Sequence, residues 1–380
     1  MRVLHVNSTL GLKTGGGTAE RTFQVSRQLA LSGIGTTILT LDLELGDARR
    51  QAAFPATVVA LPCLWKRFYL PRANWVTIRQ LVDDADVIHL MGHWGALNAL
   101  VYMAARRANK PYVVCPAGAL PLFGRSSTLK RMYNWLIGRA LIRNAAACVA
   151  VTEAEFAQFE AYGVRSSEVQ VVPNGVNSED FPVVDRQVFF TRHAVPDAPY
   201  ILFLGRLNRI KGPDLLLEAF LQARTNFPSH HLVFAGPDDG MLAELENRAG
   251  SSGAGGFVHF IGYVSGEDKV AAYRNASLMA IPSRLEAMSI VALEAGICGT
   301  PVLLTDQCGF PQILAVDSRL EVPATIGGLS AGLASLLSSP ENLAVVGEKM
   351  QEFVESKFTW HATANRYRQL YERLLGRNPE

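Results

Sequence analysis

The sequence predicts an α/β protein built from two doubly wound domains. Short β-rich runs alternate with segments of helical periodicity along the chain, which is the pattern of parallel sheets with crossover helices. The alternation breaks once, near the middle, at a polar stretch containing proline and glycine. A chain of 380 residues, 49% apolar and 18% charged, is long enough for two domains with separate cores.

The predicted elements follow this alternation in order. Strands of the first half are Val3–Asn7, Thr36–Leu41, Val58–Leu61, Val87–Leu90, Tyr112–Cys115, Ala147–Val151 and Val169–Val172. Strands of the second half are Ile201–Leu204, Leu232–Ala235, Val258–Ile261, Leu278–Ile281, Pro301–Leu304 and Leu320–Val322. Aromatic and apolar residues at helical spacing predict a terminal helix over Phe358–Leu375.

The break gives the expected domain boundaries. It begins with Pro173–Pro182 and stays polar up to Pro199, so residues 176–199 are predicted to be a linker. The first domain then covers residues 1–175 and the second residues 200–357.

Two glutamates, Glu286 and Glu294, bracket an apolar segment of the second domain. Ser289 is suited to be an N-cap, and the residues after it share one apolar face, so a helix is expected there. Glu286 then precedes the helix, and Glu294 lies on its second turn. Free amides at a helix start favour an anion and carboxylates suit hydroxyls, so the pair fits a sugar joined to a diphosphate. An ion pair between helices is the other explanation of Glu294.

Two cations, Arg206 and Lys211, fall in the loop after the predicted strand at Tyr200–Leu204. Ligands of open α/β sheets bind at the carboxyl ends of strands. The two side chains could neutralise a diphosphate leaving group. The alternative is an ordinary solvated loop.

The first half of the chain is basic and the second half acidic. Residues 1–180 carry 19 Lys and Arg against 13 Asp and Glu, a net charge of +6, which leaves −4 for the rest. No acid occurs from Val87 to Thr152, and the predicted helix Lys130–Arg143 combines basic residues with Trp135. This helix suits either an anionic membrane or lipid-diphosphate acceptor, or a packed helix with a solvated basic edge. Trp65–Tyr69 is a second patch with the same two explanations.

Composition excludes several other classes. An overall charge of +2 without a binding motif argues against nucleic acid. Five cysteines without a CxxC pair suggest buried thiols in a reducing compartment. The first residues read as a strand rather than a signal peptide, and no apolar run could span a bilayer. A cytoplasmic protein, soluble or peripheral on the inner membrane face, is expected.

A set of short motifs runs in order over nearly the whole chain. They are Gly15-Gly-Gly17, Val172-Pro-Asn-Gly-Val176, Gly205-Arg-Leu with Lys211-Gly, Phe260-Ile-Gly-Tyr263, and Pro282-Ser283 before the two glutamates. With these motifs the chain resembles the retaining glycosyltransferases of family four. The resemblance implies the GT-B fold, with two Rossmann-like domains facing across a cleft and residues 358–380 packing back on the first domain.

The resemblance also assigns roles to residues. It places Arg206 and Lys211 on the donor diphosphate and Glu286 on the donor sugar, in the catalytic set. It implies donor contacts from Gly16, Gly17, Gly262, Tyr263, Val264, Ala287, Met288, Ser289 and Ile290, with Glu294 on the ribose. A nucleotide-diphosphate sugar is the implied donor, and a saccharide or a polyprenyl-diphosphate-linked molecule the acceptor. Lys130, Arg131 and Ala117 are the predicted acceptor residues.

One position departs from the family pattern. Members commonly have His-Gly after the strand matching Tyr112–Cys115, whereas this chain has Ala117 before Gly118. Either the donor is unusual at its sixth carbon or another group substitutes. His93 at the end of the fourth strand is the nearest candidate, and a structural role for it is the alternative.

No metal or cofactor is predicted. Asp84-Ala-Asp86 precedes a strand, away from its carboxyl end, and Asp238-Asp239 lies in a turn. The preferred function is a retaining sugar transfer from a nucleotide-diphosphate sugar. The alternatives are a sugar-nucleotide epimerase of the same fold, using Glu286 with His93, and a non-catalytic sugar-nucleotide-binding protein.

Overall fold

The computed structural model describes residues 1–72, 74–122 and 126–377. Arg125, part of the basic stretch, lies outside these residues. The chain divides into two compact units. One comprises Met1–Gly175 with the C-terminal segment from Trp360, and the other comprises Val176–Thr359.

The first unit is built on a seven-stranded parallel sheet. Its strands and those of a small hairpin are β1 Arg2–Val6, β2 Gly35–Leu41, β3 Thr57–Leu61, β4 Cys63–Trp65, β5 Leu70–Pro71, β6 Val87–Met91, β7 Tyr112–Cys115, β8 Ala147–Ala150 and β9 Val169–Val171. The parallel sheet has the order β3-β2-β1-β6-β7-β8-β9. Strand β6 is buried over its whole length, because a parallel sheet covered on both faces selects continuous apolar runs.

Helices cover this sheet. They are α1 Leu12–Leu31, α2 Asp47–Ala52, α3 Trp75–Asp84, α4 Ala96–Arg107, α5 Ser127–Tyr133, α6 Arg139–Arg143 and α7 Phe156–Glu160. A single π-helical turn, Asn134–Gly138, joins α5 to α6, so the predicted helix Lys130–Arg143 begins three residues earlier and contains an irregularity.

The second unit is a six-stranded parallel sheet with its own helices. The strands are β10 Tyr200–Leu204, β11 His231–Ala235, β12 Val258–Gly262, β13 Leu278–Ile281, β14 Val302–Thr305 and β15 Glu321–Val322, in the order β12-β11-β10-β13-β14-β15. The helices are α8 Arg186–His193, α9 Pro213–Ala223, α10 Leu242–Ser251, α11 Gly266–Asn275, α12 Ile290–Ile297, α13 Ile326–Leu337 and α14 Pro340–Lys357.

The terminal helix, α15 Trp360–Leu374, belongs to the first unit and packs on α1. Tyr367 and Tyr371 on its inner face are fully buried. The Tyr371 hydroxyl contacts His89 Nδ1 at 2.7 Å and His5 Nε2 at 3.2 Å, so the helix is fixed to β1 and β6.

The segment predicted as a linker contains structure of its own. Residues 176–199 include α8, whose Phe189 and Phe190 are buried against Tyr200. The segment was predicted as a linker because polar residues surround these two phenylalanines in the sequence. It belongs to the second unit.

The α/β class with two doubly wound parallel sheets is confirmed. In the described part of the chain, no helix combines the length and apolar character needed to cross a bilayer.

Candidate functional site

The second unit has its topological switch point between β10 and β13. These strands are adjacent, and successive strands proceed outwards from them in opposite directions. In such sheets the crevice at the carboxyl ends of the two central strands binds ligands. The loops that leave β10 and β13 carry Arg206, Lys211 and Glu286.

A partly buried ion pair joins the two loops. Lys211 Nζ lies 2.8 Å from Glu286 Oε1, and the Ser283 hydroxyl donates to Glu286 Oε2 at 2.9 Å. The Glu286 amide donates to the Gln307 carbonyl at 2.9 Å, which fixes the backbone behind the carboxylate. The structure thus brings two of the predicted catalytic residues into contact.

Close backbone packing at Gly212 positions Lys211. Gly212 has a φ of +69°, and an added Cβ would lie 2.1 Å from the Pro282 carbonyl oxygen. Only glycine combines that dihedral angle with such an approach. The Arg284 amide also donates to the Ile210 carbonyl at 2.7 Å, and its guanidinium binds Asp214 with two hydrogen bonds. These contacts therefore fix the two loops relative to each other.

Ser289 stands at the start of α12 with its hydroxyl unsatisfied. The residue is the N-cap and is fully buried, yet its side chain caps no helix amide. Among the described residues, its Oγ has no hydrogen-bond partner. Buried polar atoms without partners are rare and costly, and the first amides of a helix also lack intrahelical acceptors. Together they suit an anionic oxygen.

Arg206 lies in the same loop but stays apart from the Lys211–Glu286 pair. Its side chain is half exposed, and NH1 is 3.8 Å from Asp239 Oδ2. Its predicted role as a second diphosphate cation stays a prediction.

Glu294 is buried and engaged by two side chains of α11. Its Oε1 lies 2.9 Å from Lys269 Nζ, and its Oε2 accepts from the Tyr273 hydroxyl at 2.7 Å. Burial and the neighbouring carboxylate raise the pKa of Tyr273 well above its ordinary value. The inter-helix ion pair raised as an alternative is present, and the ribose role stays a prediction.

The predicted base-framing residues end β12. Gly262 accepts from the Gly236 amide at 2.7 Å, Tyr263 is exposed, and Val264 is buried. Ala287, Met288 and Ile290 flank Ser289 at the α12 start, as the sequence places them.

The glycine-rich segment lies inside α1 rather than before it. Gly16 interrupts the helix with φ 56° and ψ −154°, and nothing lies within 4 Å of an added Cβ. Gly17 follows in the continuing helix. The Thr18 hydroxyl donates to the Gly15 carbonyl at 3.2 Å.

Ala117 lies in a loop that a buried carboxylate fixes. The residue has a φ of +49°, a left-handed conformation. Glu155, fully buried, accepts from the Gly118 amide at 2.5 Å and from the Val151 amide at 2.6 Å. Burial raises the pKa of the Glu155 carboxyl, while these amides oppose the shift.

His93 is buried among aromatic rings. Its Nε2 lies 2.9 Å from Asn134 Oδ1, and the rings of Trp94, Tyr133 and Tyr162 surround it. Burial lowers the pKa of His93 to about 4, so the ring is neutral at pH 7. These contacts describe a structural histidine, and its predicted catalytic role is untested.

The two predicted acceptor cations on α5 differ in environment. Lys130 is half-buried with its ammonium 5.2 Å from the centre of the Trp94 ring, and burial lowers its pKa. Arg131 is exposed.

Sequence reasoning missed a buried arginine in the first unit. Arg21 donates to Asn174 Oδ1 at 2.8 Å, to the Val172 carbonyl at 2.6 Å and to the Tyr367 hydroxyl at 2.7 Å. It joins α1, the chain after β9 and α15. Its position after the glycine-rich segment gave no signal, because an arginine on a helix is ordinarily solvated.

Within the described ranges, no group of three or more His, Cys, Asp or Glu residues could hold a metal ion. Asp86 accepts from the Arg2 amide at 2.8 Å, and Asp238 accepts from amides at the start of α10. Both aspartates are therefore used in local structure.

Comparison with known proteins agrees with this fold. Residues 16–175 match the family model of the glycosyl transferase 4-like domain, and residues 185–353 match that of glycosyl transferases group 1. The chain belongs to the family-four glycosyltransferases of the GT-B fold.

Sequence identity to individual relatives is low. A D-inositol 3-phosphate glycosyltransferase of Corynebacterium jeikeium is 32% identical over 248 residues, which cover 62% of this chain and 59% of that protein. The sucrose-phosphate synthase structure from Thermosynechococcus elongatus has a TM-score of 0.75 at 21% identity, covering 99% of both chains. Anabaena HepE, in complex with UDP and glucose, has a TM-score of 0.79 at 17% identity, covering 98% of this chain and all of HepE.

Proposed function

We propose that this protein is a retaining, metal-independent glycosyltransferase that moves a hexosyl or N-acetylhexosaminyl group from a nucleotide-diphosphate sugar to a hydroxyl acceptor. The observation that carries the proposal is the switch point of the second unit. There the Lys211–Glu286 pair and the unsatisfied Ser289 hydroxyl belong to the loops that leave β10 and β13. A cation, a carboxylate and free amides match a sugar joined to a diphosphate.

The proposed reaction needs positioning and charge stabilisation. The acceptor hydroxyl oxygen bonds to the anomeric carbon on the face from which the diphosphate leaves. The carbon–oxygen bond to the diphosphate breaks with its electron pair, and the departing phosphate takes the hydroxyl proton. Lys211, Arg206 and the α12 amides would stabilise the developing negative charge.

The donor class has support from a structural relative. HepE was crystallised with UDP and glucose, and also with UDP-glucose. For this chain, Tyr263 and Val264 would frame the base, and Glu294 would turn from Lys269 and Tyr273 to the ribose hydroxyls.

A lipid-linked or growing cell-envelope saccharide is the proposed acceptor. The acid-free stretch from Val87 to Thr152 gives the first unit a basic character that suits an anionic acceptor at the inner membrane face. Some relatives are named D-inositol 3-phosphate glycosyltransferases. A soluble phosphorylated acceptor should therefore be tested beside the lipid-linked one.

Thermal-shift screening against UDP-, GDP-, ADP- and dTDP-sugars tests the donor assignment. A donor present at a hundredfold excess over its Kd should stabilise the protein by about 2.7 kcal/mol. The selected donor is then incubated with polyprenyl-diphosphate-linked saccharides or D-inositol 3-phosphate, with and without EDTA, and the anomeric configuration of the product is read by NMR. Retention of the anomeric configuration, with activity that persists in EDTA, supports the proposal. Inversion of the configuration, or loss of activity in EDTA, contradicts it.

The same assay separates the alternatives. A new sugar nucleotide formed from the donor alone would indicate an epimerase. Donor binding without turnover of any acceptor would indicate a non-catalytic binding protein.

A further inference from the structure

One face of the α5–π–α6 helix exposes large apolar side chains. Trp135 is 82% exposed and Leu136 64% exposed, and Leu129 and Met132 lie on the same helix, also exposed. Large apolar residues clustered on a surface mark interaction sites, whereas scattered ones need no explanation.

A basic ridge runs beside this apolar face. Arg131, Trp135, Arg139 and Arg143 follow at intervals of four residues and line a groove of about 570 Å³. Arg143 donates to the Tyr162 carbonyl at 2.7 Å. None of the three arginines forms an ion pair with a carboxylate in the part of the chain that the structure describes. Their charge is therefore available to an external anion.

The opposite face of the helix is anchored firmly. Asn134, in the π-turn, hydrogen-bonds His93 and the Tyr162 hydroxyl, and the Tyr133 hydroxyl donates to the His93 carbonyl at 2.8 Å. Leu141 and Ile142 are buried in the core of the first unit. The exposed face is thus presented on a fixed support, and π-turns often occur at functional positions.

We propose that the outer face of residues 127–143 docks this protein onto an anionic phospholipid leaflet. Trp135 and Leu136 enter the headgroup boundary, and Arg131, Arg139 and Arg143 bind lipid phosphates in the groove. The inference gives a contact surface to the proposed function, and rests on it only for the lipid-linked nature of the acceptor.

Charge and apolar exposure together favour a leaflet over other occupants. A soluble phosphate would use the arginines but leave Trp135, Leu136 and Met132 in water. A second copy joined by a two-fold axis would bring one arginine ridge against another. An anionic leaflet satisfies the charges and the apolar side chains at once.

Vesicle sedimentation of the full chain tests the docking surface. We expect binding to vesicles of phosphatidylcholine with phosphatidylglycerol, little binding to phosphatidylcholine alone, and a blue shift of tryptophan emission on binding. Trp135→Ala with Leu136→Ser should weaken partitioning roughly tenfold, since buried apolar area drives interfacial binding. Arg139→Gln should weaken it about fivefold. Phe54→Ala is the matched control, because Phe54 is an aromatic residue of the same unit that is 77% exposed.

The outcomes distinguish a lipid surface from a second copy of the chain or free phosphate, and the docking surface from the proposed function. Wild-type partitioning of the Trp135 and Leu136 double variant would overturn the inference. A dimer in solution that dissociates in this variant would also overturn it. So would the absence of vesicle binding together with stabilisation by inorganic phosphate that is lost in Arg139→Gln. Donor thermal shifts in each variant verify folding. Vesicle binding without any donor binding would contradict the proposed function and leave the docking surface standing.

Discussion

Lys211 is a residue whose loss should damage activity strongly. It supplies a cation held by Glu286 at 2.8 Å beside the start of α12. We expect Lys211→Ala, and also Arg206→Ala, to lower kcat/KM by roughly a hundredfold, the usual effect of removing one donor to transition-state charge. Steady-state kinetics with the identified donor measure this.

Arg209→Ala is the matched control for both variants. Arg209 lies in the same loop, is largely exposed and is 3.9 Å from Asp214. It should keep near-normal turnover. Near-normal turnover in Lys211→Ala and Arg206→Ala as well would refute the diphosphate site.

Glu294→Ala should chiefly raise the donor KM, because a ribose contact is similar in the ground and transition states. The variant also leaves the Lys269 ammonium and the Tyr273 hydroxyl without their acceptor, which should cost about 1–3 kcal/mol of stability. Donor titration and denaturant unfolding separate the two effects. A fall in kcat at unchanged donor affinity would count against the ribose role.

We expect two substitutions of Ala117 to have different effects on activity. Its φ of +49° is unfavourable for a residue with a Cβ, so Ala117→Gly should keep activity and change stability by no more than about 1 kcal/mol, towards stabilisation. Ala117→His should crowd the site and lower native activity by about a hundredfold. If the histidine variant matches the wild type in turnover, the alanine carries no information about the donor.

Among the elements, the π-turn requires a small residue at Gly138. A Cβ on Gly138 would lie 2.4 Å from Asn134 Oδ1 and 2.9 Å from the Tyr133 ring. Gly138→Ala should therefore destabilise the protein by about 1–3 kcal/mol, despite the better helix propensity of alanine. Denaturant unfolding measures the change.

Gly327→Ala in α13 provides the matched control for that variant. Nothing lies within 4 Å of a Cβ at Gly327, so this substitution should be neutral or stabilising by up to about 1 kcal/mol. Equal effects of the two substitutions would show that the π-turn imposes no steric limit.

The strands could be predicted because buried parallel strands are continuous apolar runs. β7 and β13 have the predicted bounds, and each of the other predicted strands differs by one residue at one or both ends. The hairpin β4–β5 was not predicted, since its strands are short and include Pro71. The π-turn was not predicted either. Its Asn134 contacts His93, a residue distant in sequence, which no local pattern reveals.

The candidate site was predictable where a motif marks a turn between strand and helix. Glycines and charges after β10 and β13 located Lys211 and Glu286, and the structure joins them. Partners on other elements could not be read from the sequence, and Lys269, Tyr273, Glu155 and Arg21 are examples. Their roles arise from burial, which no local pattern reports.

At the scale of the whole molecule, buried histidines should make the fold sensitive to acid. Burial lowers the pKa of His5 to about 3 and of His93 to about 4, both below the ordinary value of 6.5. The unfolded chain therefore binds more protons, and the stability present above pH 6.5 is lost as the pH falls towards these values. Between pH 6.5 and 5 each should cost about 2 kcal/mol.

Urea unfolding at pH 7.5, 6.5 and 5 checks this dependence. His93→Gln should flatten the curve by about a third, because burial also lowers the pKa of His5 and His89. His361→Gln, at an exposed position on α15, should leave the curve unchanged. A stability that does not fall below pH 6.5 would contradict the assignment of these histidines as neutral groups.

The contacts of Arg21, His5 and His89 with α15 also constrain the order in which the chain folds. Their tyrosine partners, Tyr367 and Tyr371, follow the second unit in the sequence, whereas the second unit is one continuous segment. During synthesis the second unit can fold first, while Arg21, His5 and His89 of the first unit lack their tyrosine partners until α15 has been made. The first unit is thus completed only after the second unit has been synthesised, by a fifteen-residue helix that follows that unit in the sequence.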